Sequence, residues 1–151
     1  MNNIIKKIRH TIIPAVYLIL ERDNKILMIR RFNTGHEDGK YSLVAGHVDA
    51  GETFIQTMVR EAAEEAGIQI APVDLYVVHV LHRLSPVDAE ERVDTFFKAR
   101  AWVGEPKNVE PNKCDDMTWI DYDALPKNTV PWVRFVLEKI KSGIFYSEFG
   151  W

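Results

Sequence analysis

Cysteine is almost missing from this sequence. Cys114 stands alone among 151 residues, which excludes an internal disulfide and reads as a thiol in a reducing, cytoplasmic setting. No apolar run is long enough to span a membrane, and the start shows no signal-peptide pattern. The basic opening MNNIIKKIRH leads straight into a strand-like run. Excess positive charge is also lacking. The net charge is −3, which argues against a general nucleic-acid surface and leaves no reason to expect a stably bound nucleic acid. No repeat or low-complexity segment is visible. Hydrophobic residues at 46% and charged residues at 27% then fit one soluble globular domain spanning 1–151.

What the chain does have is an acidic stretch from Gly46 to Ile68, GHVDAGETFIQTMVREAAEEAGI. Five acids (Asp49, Glu52, Glu61, Glu64, Glu65) face one base, Arg60, for a net −4 in a chain of −3. The second half predicts a helix: Thr53 with Gln56 has the form of a capping box, and Gly67 stands where a C-cap glycine belongs. Ile55, Met58, Val59, Ala62 and Ala66 recur at spacings that predict a buried stripe. Glu61, Glu64 and Glu65 fall at i, i+3 and i+4 on a neighbouring face. Like charges at these spacings repel by ~0.2–0.5 kcal/mol per pair. The cluster is therefore either a solvated acidic face or a site for a hard divalent cation such as Mg²⁺ or Mn²⁺.

Gly46, then Glu52, then Arg60-Glu61-Ala62-Ala63-Glu64-Glu65-Ala66-Gly67-Ile68 resembles the Nudix box of the Nudix hydrolases at every fixed position; only Ala62 is atypically small. The resemblance implies an α/β fold, an α/β/α sandwich with a mixed β-sheet and a catalytic loop-helix-loop. It also implies attack of a metal-activated water on a nucleoside diphosphate linked to another group. In that reading Glu61 and Glu65 grip the main ion, Glu64 completes the set or bridges to a second ion, and a backbone carbonyl near Gly46 adds a ligand. Glu52 pairs with Arg60. Glu64, Glu61 or Glu110 takes the proton as general base.

Elsewhere the chain reads as strands joined by polar loops. Thr11 to Glu21 predicts a strand, Asp23-Asn24 a tight turn, and Lys25 to Arg31 its returning partner. Arg30 and Arg31 are either edge charges or phosphate contacts; they point to opposite faces, and the resemblance favours Arg31. Asn33, His36 and Asp38 lie in a loop that either connects or selects substrate. Tyr41 to Ala45 predicts a short strand, with Val44 and Ala45 where relatives often carry proline and glycine. His47 either meets a phosphate or caps its loop.

Leu75 to Leu84 and Arg92 to Val103 predict two further strands around a hairpin loop, Ser85 to Glu91. His79 and His82, three apart on a strand, face opposite ways, which weakens a metal pair. In the long loop after Gly104, the likeness to MutT-type members places Glu110, rather than Glu105, as a fourth metal-binding carboxylate. Met117 to Asp121 is expected as the final strand. A helix follows over Pro131 to Ser142, with Val133, Val136, Leu137 and Ile140 facing the core. Asn128 is either a base contact, as the resemblance implies, or a helix cap, and Trp132 either stacks on a base or is core. The aromatic tail GIFYSEFGW either packs back or covers a partner subunit, leaving monomer and homodimer open.

The expected substrate is a (deoxy)nucleoside triphosphate, oxidised purine nucleotides included, cleaved to monophosphate and pyrophosphate. A nucleoside-diphosphate sugar or ADP-ribose is the alternative. A non-catalytic nucleotide-binding regulatory module is the reading from another class, and the complete set Glu52, Glu61, Glu64 and Glu65 argues against it.

Overall fold

The computed structural model describes residues 9–151; the basic residues 1–8 lie outside them. Among the described residues, nine strands and two α-helices run in the order β1 (Ile13–Ile19), β2 (Glu21–Arg22), β3 (Lys25–Arg31), β4 (Tyr41–Ser42), β5 (Val44–His47), α1 (Phe54–Ala66), β6 (Leu75–Leu84), β7 (Glu91–Ala99), β8 (Cys114–Asp121), α2 (Pro131–Lys141) and β9 (Tyr146–Phe149). This is the α/β architecture with a mixed sheet that the sequence predicts. Among the described residues no helix is long and apolar enough to cross a membrane.

The larger sheet has the order β5-β1-β7-β6-β9, with β1 parallel to β7 and β6 parallel to β9. Strand β1 is buried on both faces. Ala15, Tyr17 and Ile19 face a core shared with Val133, Val136 and Leu137 of α2. Val16, Leu18 and Leu20 face a second core with Met58, Ala62 and Ala66 of α1. A strand covered on both faces needs an unbroken apolar run, which is what β1 supplies. The smaller sheet joins β2, β3 and β4, with β8 paired to β3.

Several expectations need correction. β3 is not the partner of β1. The turn at Asp23 and Asn24 forms, both residues adopting left-handed backbone (φ 50° and 59°), as a two-residue hairpin turn requires. Only β2 and Leu20 follow the turn back along β3, because β1 has already crossed into the other sheet. The expected strand from Tyr41 to Ala45 is also divided: Tyr41–Ser42 pairs with β3, whereas Val44–His47 pairs with β1. Finally, β8 is not the last strand. The tail folds back as β9 along β6, pinned by buried His79, which meets Ile144 O at 2.9 Å and Ser147 Oγ at 2.7 Å.

Helix α1 begins at a true capping box on Thr53 and Gln56 and ends at Gly67 in the left-handed region (φ 65°). Its buried positions differ from the expected stripe. Ile55 is exposed, while Thr57 and Glu61 join Met58, Ala62 and Ala66 in the interior. The helix is thus rotated toward its acidic face.

Candidate active site

The end of β5 and the middle of α1 meet at Gly46. A Cβ placed there would lie 1.9 Å from Glu61 Oε1, so only glycine lets the carboxylate reach this depth. Glu61 is nearly buried, and that burial raises its pKa against the pull of Arg60.

Arg60 is the hub of the box. Its Nε and Nη2 donate to the two oxygens of Glu52 at 2.9 and 3.0 Å, and Nη1 donates to Glu61 at 2.7 Å and Glu64 at 3.2 Å. Nη2 also reaches His47 O at 3.3 Å. The bidentate fork, helped by the Thr57 hydroxyl at 2.9 Å, holds the Glu52 carboxyl down at about 2. This clamp ties the loop before α1 to the helix.

One turn further on, Glu65 accepts the Ala45 N–H at 3.0 Å. Enclosure outweighs that bond, and together with Glu61 and Glu110 it pushes the carboxyl up to about 8. Glu110 arrives from the loop between β7 and β8, which docks on the last turn of α1 through Lys107 N to Ala66 O at 3.0 Å and Val109 N to Glu65 O at 3.3 Å. Lys113 Nζ holds Glu110 Oε1 at 3.0 Å.

The site opens onto a cavity of about 550 Å³. Glu61, Glu64, Glu65 and Glu110 share it with Arg31, His36, His47 and Trp132. Arg31 is held in place by bonds to His36 O at 2.7 Å and Thr34 Oγ1 at 3.1 Å, while Arg30 turns away to Asp115 at 2.7 Å. His47 Nε2 meets Arg92 Nη1 at 2.9 Å, and desolvation with the Arg92 charge lowers its pKa.

Other sequence candidates lie elsewhere. Asn33 is exposed with φ 53° and does not line the cavity. Asp38 ties the loop at Thr34 and Gly35. Asn128 donates to Gly39 O at 2.8 Å, bracing the same loop from behind, and it is not the helix cap, which is Val130. Glu105 pairs with Arg22 at 2.8 Å. Arg83, Arg92 and Lys113 carry no signal in the sequence that singles them out, yet all three line the cavity. The first two are cross-strand partners on β6 and β7, a relation that needs the hairpin register to be seen.

Among the described residues no three His, Cys, Asp or Glu side chains already converge to hold a metal ion; Arg60 Nη1 lies between Glu61 and Glu64 instead. The donor chemistry nevertheless suits a hard divalent cation. It offers carboxylate oxygens in a cradle that a Cβ would fill, with Glu65 destabilised as an anion by burial first and by Glu61 and Glu110 beside it.

Residues 11–140 match the family model of the NUDIX domain. The chain belongs to the Nudix family. The NAD-capped RNA hydrolase NudC of Escherichia coli strain SMS-3-5 is 31% identical over 115 residues, 76% of this chain and 41% of NudC. The chain thus spans less than half the length of the curated relatives it matches. Among solved structures, a MutT NUDIX hydrolase from Burkholderia pseudomallei superposes with a TM-score of 0.78 at 29% identity, covering 85% of this chain and 98% of that one. A NUDIX hydrolase from Nitrosomonas europaea shares the fold with a TM-score of 0.75 at 22% identity, over 90% and 93% of the two chains. The stretch from Gly46 to Ile68 is the Nudix box of this domain, and the chain carries a Nudix hydrolase fold around it.

Proposed function

We propose that this chain is a divalent-cation-dependent pyrophosphohydrolase that cleaves a nucleoside diphosphate linked to another group. A (deoxy)nucleoside triphosphate, split to monophosphate and pyrophosphate, is the preferred substrate. The observation that carries the reading is the seat of Glu61 against Gly46, beside a Glu65 whose carboxyl is pushed up to about 8. An acid placed at such cost, facing a cavity with Arg31, suits a site whose occupant brings positive charge to a polyanion.

Glu61, Glu64, Glu65 and Glu110, with backbone oxygen near Gly46, would hold Mg²⁺ or Mn²⁺. When bound, the cation supplies charge neutralisation on the diphosphate and makes a water more acidic for attack at phosphorus. The remaining work belongs to the chain. Arg60, fixed by Glu52, keeps Glu61 and Glu64 on the cavity side of α1. Arg31, with no carboxylate partner among the described residues, is placed to donate to phosphate oxygens. His47 presents a ring directly after the Gly46 carbonyl. Glu64 is the most exposed of the three helix glutamates and so the freest to take a proton from water.

NudC acts on NAD-capped RNA by its name, so a dinucleotide joined through a diphosphate is the reading to set against the triphosphate. ADP-ribose and nucleoside-diphosphate sugars belong to the same class. A panel of nucleoside triphosphates, NADH, ADP-ribose and nucleoside-diphosphate sugars, with Mg²⁺ and then with excess EDTA, tests the proposal. Turnover of at least one member, abolished by EDTA and restored by Mg²⁺, is expected. No turnover of any member would leave the non-catalytic nucleotide-binding module, and turnover indifferent to EDTA would overturn the metal role.

A further inference from the structure

Across the β6–β7 hairpin, Arg83 and Arg92 are register partners. Partners across an antiparallel ladder share a face, where like charges side by side are unfavourable. Both arginines line the cavity. Arg83 is 2% exposed, gives its Nε to Asp94 and lies 4.1 Å from the centre of the Trp132 ring. Asp94 is fully buried and does not line the cavity, so it answers Arg83 from beneath. Arg92 is answered differently. Nη1 meets His47 Nε2 at 2.9 Å rather than a carboxylate, Nη2 rests on Glu90, and Nε is buried with no partner among the described residues. Glu90 ends an exposed hairpin loop, and its own side chain is 40% exposed.

The position relative to the glutamates is set by β5, the edge strand of the larger sheet. Gly46 pairs with Val16, which faces α1, and His47 pairs with Ala15, which faces α2. Consecutive strand residues thus carry the cavity around the sheet edge, from the glutamate side at Gly46 to the arginine side at His47.

We propose that Arg92 and Arg83 form an anion subsite for a phosphate group of the substrate beyond the two joined at the scissile linkage, and that Glu90 covers it until that group displaces it. The inference rests on the pyrophosphohydrolase reading only for the identity of the substrate. The anion site itself stands on the arginines. A chain of phosphates passing the edge of β5 meets carboxylates on one side and guanidinium donors on the other, which favours a triphosphate over a two-phosphate ligand. Bidentate guanidinium contact gives the recognition its geometry.

The test is calorimetric binding of inorganic triphosphate and of pyrophosphate to the full chain in EDTA at fixed ionic strength. Wild type should bind both anions in EDTA, and triphosphate should become the tighter of the two once added Mg²⁺ neutralises the carboxylate side. Arg92→Met should weaken triphosphate by about tenfold, the loss of roughly one charge-assisted contact, with Arg92→Lys restoring part of it. Glu90→Gln, by removing the covering carboxylate, should tighten triphosphate severalfold. Arg100→Met, outside the cavity beside Tyr76, should change nothing. Equal affinity in wild type and Arg92→Met, no gain in Glu90→Gln, or an equal loss in Arg100→Met overturns the subsite. Hydrolysis of the nucleotide panel by the same variants separates the two ideas. Failure of wild type to hydrolyse any nucleotide counts against the enzyme reading alone, since the binding result still decides the subsite.

Discussion

Arg83 Nε donates to Asp94 Oδ2 at 2.8 Å, in a place where the two side chains are only 2% and 0% exposed. Burial raises the Asp94 pKa and the Arg83 charge opposes it. Removing one member of such a pair strands the other charge in the interior. Asp94→Ala should therefore cost about 3–5 kcal/mol, read as a shift in the urea midpoint with little change in slope. A variant as stable as wild type would show that the pair is not what keeps Arg83 tolerable under Trp132.

Gly46→Ala asks whether the close seat of Glu61 matters for chemistry. The new methyl would fall on the end of the Glu61 side chain, 1.9 Å from Oε1, and a glutamate can swing aside more cheaply than backbone can. The fold should survive with a modest drop in melting temperature, while kcat/KM falls by roughly a hundredfold or more. Unchanged kcat/KM would detach Glu61 from the reaction.

Glu65→Gln keeps an acceptor for the Ala45 N–H and makes permanent the neutral form that enclosure and neighbouring acids already favour. Without added metal its melting temperature should equal or exceed that of wild type. With Mg²⁺ its kcat should be lower by orders of magnitude. Normal turnover would take Glu65 out of the proposed metal set.

Alkaline pH should expose two tyrosines. Burial pushes Tyr17 and Tyr122 up to about 12 from an ordinary value near 10. A raised folded-state pKa means the stabilisation is complete below pH 10 and is lost as pH climbs toward 12. Stability should fall across that window, with late phenolate absorbance appearing as the chain unfolds. In the double variant Tyr17→Phe, Tyr122→Phe the fall between pH 10 and 12 should be smaller; an identical fall would place its cause in other groups.

The local features of the chain are legible in its residues. Helix α1 can be bounded because Thr53, Gln56 and Gly67 act within one turn of themselves, and the Asp23-Asn24 turn needs only those two residues. The spacing of Glu61, Glu64 and Glu65 is equally open to reading, and with Gly46, Glu52 and Arg60 it is enough to name the family. Which side of α1 is buried is not. Ile55 reads as core and is exposed, while Thr57 is buried, because the orientation of a helix is set by what packs on it. For the same reason β1 can be seen as a strand but not paired correctly, since its neighbours β5 and β7 come from distant parts of the chain.

Sequence alone settled the acids, their order and the helix that carries them, because capping and helical spacing are short-range effects. Only folding decided that Glu110 docks beside Glu65, that Asn33 and Asn128 stay outside the cavity, and that Arg83 and Arg92 enter it. Those outcomes depend on sheet register and loop docking, in which contacts between remote segments compete for the same space.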